Sequence, residues 1–138
     1  MDYSQLEKLI PKDKFDFGPF PVLMEINEDD VKPILSNLLF CVADMNWPIA
    51  TEMIKVLARF SNSIVPHIKE VLLQTETDEE WKYFIISNLI PKLSTSSQEL
   101  LLASVNRIYI NPTNGETQGD VWEMAKEYIE CYGNHEHG

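Results

Sequence analysis

Cysteine is scarce in this sequence, and its two copies stand far apart. Cys41 and Cys131 belong to no CxxC motif, and no further cysteine is present to complete a metal site or a disulfide framework. Single buried thiols are common in cytosolic proteins, where cysteine packs as a small apolar side chain. We therefore expect a cytoplasmic protein whose fold needs neither a disulfide nor a structural metal, and a chain of 138 residues is long enough for this.

Long apolar runs and glycine-rich loops are missing as well. The sequence starts without a basic segment followed by an apolar run, and no apolar stretch approaches the about 20 residues that a membrane-spanning helix needs. We therefore expect neither a signal peptide nor a membrane span. The five glycines are scattered, so the sequence predicts no loop of the kind that cradles phosphate groups.

Basic side chains are few, because 11 Lys and Arg stand against 22 Asp and Glu, for a net charge of -11. Such a surface repels phosphate groups, which disfavours binding to nucleic acid or to anionic membranes. It attracts positively charged patches on other proteins instead. The composition therefore favours a basic protein partner, and it leaves the oligomeric state open.

Helical periodicity is what the sequence does contain. Apolar residues recur at spacings of three and four almost from end to end, whereas the strict alternation typical of strands is missing. This pattern predicts an all-α fold of about seven or eight helices joined by short links. Trp47, Trp81 and Trp122 stand near the starts of alternate helices, which favours antiparallel helical hairpins stacked as a short HEAT-like α-α superhelix over a bundle. We predict a single domain over residues 1–133 and a flexible tail over residues 134–138.

The segment 12–21 is an exception to this helical pattern. Gly18 and two prolines prevent a long helix there, although three phenylalanines supply large apolar side chains. We expect an irregular segment that Phe15, Phe17 and Phe20 hold to the core. The conformation of residues 12–26 is otherwise left open.

Capping signals mark several helix ends. Thr77 with Glu80, and Ser96 with Glu99, have the spacing of a capping box, which predicts a helix start at each place. Gly133 is placed to end the last helix, since glycine is the preferred residue just beyond a helix C-terminus.

Several short motifs resemble those of a known family. They are Leu9-Ile10-Pro11-Lys12-Asp13-Lys14-Phe15-Asp16, Asp44-Met45-Asn46-Trp47-Pro48-Ile49-Ala50, Val65-Pro66-His67-Ile68 and Trp81-Lys82-Tyr83. With these motifs the chain resembles, over nearly its whole length, a family of small bacterial proteins named domain of unknown function 5071. The resemblance implies an all-helical, HEAT-like domain of the bacterial cytosol, and it implies no particular activity.

Catalytic groups are hard to find in this sequence. Nucleophilic catalysis needs a nucleophile beside a base that a third group holds in place. His67 is the one histidine inside the predicted fold, and it borders the apolar face of its helix. Neither cysteine has an identifiable neighbour that would lower its pKa. We therefore expect no catalytic residues and no enzyme activity.

Three carboxylate pairs are candidates for acid-base or metal chemistry. They are Asp29 with Asp30, Glu79 with Glu80, and Glu127 with Glu130. The first two pairs stand at predicted helix starts, where the helix dipole favours anions, and the third falls on the solvated face of the last helix. The run His135-Glu136-His137 lies in the predicted tail. We interpret all of these groups as structural or solvated, and we expect no metal and no cofactor.

Two short motifs are the best candidates for contacts with a partner. They consist of Asp44, Asn46 and Trp47 before one helix, and of Trp81, Lys82 and Tyr83 in another. Stacked hairpins would bring both motifs to one edge of the array, where aromatic and charged side chains typically anchor a partner. The alternative is that the tryptophans belong to the core and that the polar pair only caps a helix.

The function that these observations favour is a non-catalytic protein interaction module whose acidic surface binds a basic protein. A sharper form is an immunity protein that neutralises a basic bacterial toxin, and it rests on charge and analogy. A HEAT-like enzyme that processes nucleic acid is the second hypothesis. It would need basic side chains to converge on one groove, and the candidates are Lys55, Arg59, Lys82 and Arg107.

Overall fold

The computed structural model describes residues 2–74 and 78–137, with side chains up to residue 132, and every regular element in these ranges is helical. The α-helices are α1 (Tyr3–Glu7), α2 (Phe20–Leu23), α3 (Glu28–Val31), α4 (Leu35–Phe40), α5 (Ala50–Ala58), α6 (Ser61–Leu73), α7 (Glu79–Phe84), α8 (Thr95–Ile110), α9 (Asn114–Gln118) and α10 (Val121–His137). A 3₁₀ turn (Lys32–Ile34) joins α3 to α4, and a π-helical turn (Ile85–Leu89) followed by a 3₁₀ turn (Ile90–Lys92) extends α7. The all-α prediction is confirmed.

Helices α4, α6, α8 and α10 pack side by side, each against the next of this series. Helix α6 contacts both α4 and α8, and α8 contacts α10. Helix α5 packs against α4, α6 and the π-helical turn, while that turn also contacts α10. Alternate helices are therefore neighbours, as expected for stacked hairpins, and the HEAT-like character stays a prediction. Among the described residues, none of the helices combines the length and apolar character that crossing a membrane requires.

One apolar core joins the helices on either side of α6. Its fully buried side chains come mainly from α4, α5, α6, α8 and the turn after α7, including Leu35, Met53, Ile64, Ile68 and Leu89. The predicted helical periodicity placed these residues on inner faces, and burial of such a stripe is what stabilises helices this short.

The N-terminal segment differs from the expectation, because only one of its three phenylalanines is buried. Phe20 is 6% exposed, but Phe15 is 64% and Phe17 46% exposed. Local hydrogen bonds shape this segment. Asp13 Oδ1 accepts from the Phe15 amide, and the Asp16 carboxylate accepts from the amides of Lys12 and Gly18. The prediction that all three hold the segment to the core is therefore wrong, since aspartate turns can fix a loop without burying its side chains.

Two predicted helix ends lie elsewhere. Ser94, rather than Ser96, caps α8, since its hydroxyl accepts from the Ser97 amide at 3.2 Å. Tertiary contacts select this residue, because Ser94 also bonds to the Ser61 hydroxyl at the start of α6. Helix α10 continues past Gly133 to His137, so this glycine does not end it. The flexibility of residues 134–138 stays a prediction.

The start of α7 lies partly outside the described residues. Asp78 caps this helix, since its Oδ1 accepts from the Glu80 amide at 2.9 Å. The predicted capping box with Thr77 falls on a residue outside the described ranges.

A group of charged side chains meets where α7, α8 and α9 come together, and we call it the buried charge cluster: Glu79, Lys82, Arg107 and Glu116. Lys82 and Glu116 are completely buried, and Lys82 Nζ lies 3.0 Å from Glu116 Oε2. Arg107 donates to both oxygens of the same carboxylate, at 2.5 Å to Oε1 and 2.8 Å to Oε2. A bidentate arginine together with a lysine offsets much of the cost of removing a carboxylate from water.

The cluster also fixes the position of α9. Glu116 Oε1 accepts from the Thr113 amide at 2.8 Å, and the Glu116 amide donates to Thr113 Oγ1 at 3.1 Å, which completes a capping box. Arg107 Nη2 donates to the Leu72 carbonyl near the end of α6 at 2.6 Å. One buried carboxylate therefore ties α9 to α7 and α8, and through Arg107 to α6.

Glu79 is the weakly paired member of the buried charge cluster. Its Oε2 lies 3.9 Å from Lys82 Nζ, and this buried oxygen accepts no hydrogen bond from the described residues. Burial raises the pKa of the Glu79 carboxyl. Two glycines make room for the side chain, since a Cβ added at Gly119 would lie 2.9 Å from Glu79 Cβ, and one at Gly115 would lie 2.7 Å from its Oε1.

Acid is expected to weaken the fold through Glu116. Burial alone would raise the pKa of this carboxyl, but the hydrogen bonds from Arg107, Thr113 and Lys82 lower it from 4.5 to about 2. Because the folded-state pKa lies below the unfolded one, the contribution to stability is complete above pH 4.5 and is lost as the pH falls through about 2. In urea denaturation followed by circular dichroism, the gap in unfolding free energy between wild type and Glu116→Gln should be constant near neutral pH. The gap should then shrink across that acid window, and a gap unchanged by acid would contradict the assignment.

Candidate functional site

A groove lies between α10, the start of α8 and the turns that extend α7, and we call it the acidic groove. Its volume is about 730 Å³, a size typical of binding sites for small ligands. The residues that line it are Ile86, Pro91, Thr95, Gln98, Met124, Glu127, Tyr128, Glu130, Cys131 and Tyr132.

Helix α10 supplies the charged wall of the acidic groove. Glu127 and Glu130 are exposed and stand three positions apart, which places both carboxylates on one side of the helix. Among the residues that the structure describes, none that lines the groove is basic. Lys126 directly precedes Glu127 in sequence, but its Nζ sits over the Trp122 ring, 5.6 Å from the ring centroid. The groove therefore presents two carboxylates with no cation among those of its lining residues that the structure describes.

Aromatic side chains form the floor of the acidic groove. Tyr128 is 8% exposed, and its hydroxyl donates to Gln98 Oε1 at 2.7 Å. The Tyr128 and Tyr132 rings stack with their centroids 5.9 Å apart. Burial raises the pKa of Tyr128, so its hydroxyl stays protonated at physiological pH and keeps its hydrogen bond to α8. The hydrogen bond to Gln98 of α8 therefore fixes the position of this floor.

Carboxylates above an aromatic floor suit a cationic ligand. A lysine or arginine side chain can place its charge against Glu127 and Glu130 while its aliphatic stem lies on Met124 and the tyrosine rings. Arginine in particular combines bidentate pairing with stacking on aromatic faces. The geometry therefore favours recognition of a basic side chain over recognition of an anion.

The two cysteines differ in accessibility. Cys41 is buried, and burial raises the pKa of its thiol to about 11, so it is an unreactive core residue, as predicted. Cys131 is exposed and lines the acidic groove. Its thiol gives a place to attach a reporter group beside the two glutamates.

The first predicted binding motif forms a run of turns before α5. Asp44 Oδ1 accepts from the Asn46 amide at 2.9 Å, and the Trp47 amide donates to the Asp44 carbonyl at 3.1 Å. Asn46 is exposed, whereas Trp47 is partly buried against the core. The packing of Trp47 agrees with the alternative interpretation, but the polar pair does not cap the helix, because α5 has Ile49 at its N-cap and no side-chain cap. The role of the motif in binding stays a prediction.

The second motif separates into three environments. Trp81 Nε1 donates to the Leu39 carbonyl at 3.2 Å, and its ring meets Phe40 edge-on at 5.4 Å. Tyr83 is partly buried and contacts the Phe84 ring. Trp81 therefore lies at the end of α4, beside the chain that leads to Asp44, and the 56% exposed Phe40 adds an aromatic side chain to that edge.

Lys82 is not available as a surface contact. It is completely buried and pairs with Glu116 in the buried charge cluster. Its neighbours in sequence suggested an exposed position, but α7 turns its i+1 position away from Trp81 and into the space beside α9. The inclusion of Lys82 among the contact residues was therefore wrong for this conformation.

The remaining chemical candidates show no constellation typical of catalysis. His67 is half-buried on α6, and Asp29 pairs with Lys32 at 3.2 Å in a solvated ion pair. Within the described residues, no group of three or more His, Cys, Asp and Glu side chains could hold a metal ion. The side chains of His135, Glu136 and His137 lie outside the described ones.

The basic side chains that a nucleic-acid site would need do not converge. Arg59 donates to the Leu23 and Ile26 carbonyls at 2.6 and 3.1 Å, which holds α2 against the end of α5. Lys82 and Arg107 belong to the buried charge cluster, and Lys55 pairs with Glu52. Three of the four candidates are thus engaged in the interior or with backbone carbonyls.

The sequence analysis did not predict the acidic groove. Periodicity correctly placed Tyr128 on the inner face and Glu127 with Glu130 on the solvated face of the last helix. The opposite wall comes from Pro91, Thr95 and Gln98, and no local pattern indicates that they face α10. The available signal was two acidic and two aromatic residues close together in the last helix, Glu127, Tyr128, Glu130 and Tyr132.

A comparison with protein families gives a match over most of the chain. The family described as domain of unknown function 5071 matches residues 9–129, a range that includes α2 to α9 and the first half of α10. A search of curated proteins found no match.

Proposed function

Since the chain belongs to the family described as domain of unknown function 5071, whose description assigns no activity, we propose a function from the geometry. The chain is a non-catalytic protein interaction module that binds a basic protein through the acidic groove. The observation that carries this proposal is a groove with two carboxylates, a fixed aromatic floor and no basic residue among its described lining residues.

The charge around the groove supports the same ligand. Asp120, Glu123, Glu127 and Glu130 are all exposed and follow one another at spacings of three and four, so acidic side chains continue along one face of α10 and its start. Among the described residues, exposed acidic side chains outnumber exposed basic ones. A surface of this kind steers a positively charged partner toward the groove and accelerates association at low salt.

We also propose that the protein acts in the cytoplasm and has no enzyme activity. The second point is supported by the lack of a catalytic constellation among the described residues, and by the engagement of Lys82 and Arg107 in structural pairs. The sharper form, an immunity protein against a basic nuclease toxin, follows from the same charge complementarity and differs in the identity of the partner.

The experiment that tests this proposal compares capture of basic proteins by matched charge variants. Glu127→Lys/Glu130→Lys reverses the groove, and Glu7→Lys/Glu70→Lys makes the same change in net charge at exposed positions elsewhere. At low salt we expect wild type and the control to retain one basic protein from a native lysate. The groove variant should lose it, and wild type should release it at high salt because exposed charge pairs are screened.

Three outcomes would contradict the proposal. Loss of the partner by both variants would mean that net charge, rather than the groove, attracts it. Capture of no basic protein at saturating bait would remove the proposed class of partner. Retention by the groove variant with loss in Asp44→Asn/Phe40→Ala would move the site to the edge that the sequence motifs indicated. A maleimide reporter on Cys131 gives an independent signal, since an occupied groove should slow its attachment.

A further inference from the structure

A second cavity lies on the other side of the segment that forms the acidic groove. Ile86 and Pro91 line the acidic groove, whereas Asn88 and Lys92 of the same segment face a pocket of about 530 Å³ against α5. We call it the lysine pocket, because Lys55 on α5 and Lys92 are its ionisable lining residues. Its volume lies in the range that is typical of small-molecule sites.

The charge of this pocket is opposite to that of the whole chain. None of its described lining residues is acidic, although the chain carries a net charge of -11. Lys55 Nζ pairs with the Glu52 carboxylate at 3.1 Å, and Glu52 lies outside the pocket lining. Within the described residues, Lys92 has no carboxylate within ion-pairing distance. A local positive site therefore survives in an acidic protein.

The wall between the two lysines is apolar. Met45, Ile54 and Ala58 supply it, and of these Ile54 belongs to the core at 7% exposed, while Met45 packs against the core. Asn88 adds an amide beside Lys92. An anionic group between the lysines would thus have an apolar surface next to it.

The backbone explains why two lysines can face one pocket. The hydrogen bonds of the π-helical turn Ile85–Leu89 span five residues instead of the four of an α-helix, which rotates the residues after it around the helix axis. Asn88 and Lys92, four positions apart on either side of the end of this turn, then point toward α5 together. Such turns are frequently found at functional sites, which is a second reason to expect a ligand here.

We infer that the lysine pocket binds a small organic anion with a short apolar body, such as a medium-chain carboxylate. The lysines would hold the carboxylate, Asn88 would donate a hydrogen bond, and the aliphatic part would cover Met45, Ile54 and Ala58. This site is separate from the proposed protein contact at α10, and either can fail without the other.

Isothermal titration calorimetry with octanoate, octanol and octylammonium tests this inference. We expect octanoate to bind, and octanol and octylammonium to bind at least about tenfold more weakly, because only octanoate uses both the charge and the apolar wall. Lys55→Gln/Lys92→Gln should weaken octanoate binding about tenfold or more. Lys8→Gln/Lys69→Gln removes the same two charges at exposed sites elsewhere and should keep wild-type affinity.

A steric variant separates the pocket from general surface binding. Ala58→Phe would fill the apolar part and should remove octanoate binding while thermal unfolding confirms that the protein remains folded. Equal affinity for octanoate and octanol, equal weakening by both lysine variants, binding that survives Ala58→Phe in a folded protein, or no octanoate binding at millimolar concentration would each overturn the inference.

Discussion

Glu116→Gln should lower the free energy of unfolding by about 3–5 kcal/mol, because it leaves Lys82 and Arg107 without the carboxylate that compensates their buried charge. The substitution keeps the size of the side chain, so the loss reports on charge rather than on a cavity. Urea denaturation followed by circular dichroism measures it, with the slope against urea checked for constancy.

Two controls separate the charge from other contributions of Glu116. Glu123→Gln removes an exposed carboxylate and should change stability by less than about 0.5 kcal/mol. Thr113→Ala removes the hydroxyl side of the capping box and should cost about 1 kcal/mol while leaving the carboxylate paired. Equal effects of Glu116→Gln and Thr113→Ala would mean that the buried pairs add nothing beyond the cap.

A double-mutant cycle gives a further check on the buried charge cluster. Combined with Lys82→Met, Glu116→Gln should cost less than the sum of the two single changes, because removal of both partners leaves one fewer unpaired buried charge. Additive losses would show that the two side chains act independently.

Ile68→Ala should lower the free energy of unfolding by about 2–5 kcal/mol. Ile68 is fully buried on α6, which packs against α4, α5 and α8, so a cavity at this place has few ways to collapse. The same helix offers a matched control in Leu73→Ala, since Leu73 is 74% exposed. That change should stay within about 0.5 kcal/mol, as measured by the same urea denaturation.

The contrast between Ile68 and Leu73 tests the helix arrangement itself. Both changes replace a large aliphatic residue by alanine in one helix, so helix propensity contributes little to the difference. Similar losses at the two positions would contradict the central position of α6 between α4 and α8.

The segment Ile85–Lys92 links the two proposed sites. One side of it contributes to the acidic groove and the other to the lysine pocket. The π-helical turn also packs against both α5 and α10. Because the two cavities carry opposite charges and share one backbone segment, variants designed for one site should be measured at the other as well.

Much of the fold could be predicted from the sequence, because helical periodicity is local. The inner faces of α6 and α8 depend on spacings of three to four residues, which can be read directly from the sequence. Phe15 and Phe17 show where this reasoning fails: hydrophobic side chains suggested anchors, but two aspartates fixed the turn locally and left both rings exposed.

The candidate sites depended on contacts between residues distant in sequence. Composition and periodicity by themselves determined an acidic all-α domain, because net charge is a sum over residues and a helix is a local structure. Only the tertiary structure decided that Lys82 is buried against Glu116, that Glu127 faces Gln98 across a groove, and that Lys55 shares a pocket with Lys92. Each of these pairs joins different elements, and the physical reason is that the packing of whole helices, rather than any local spacing, sets which side chains meet.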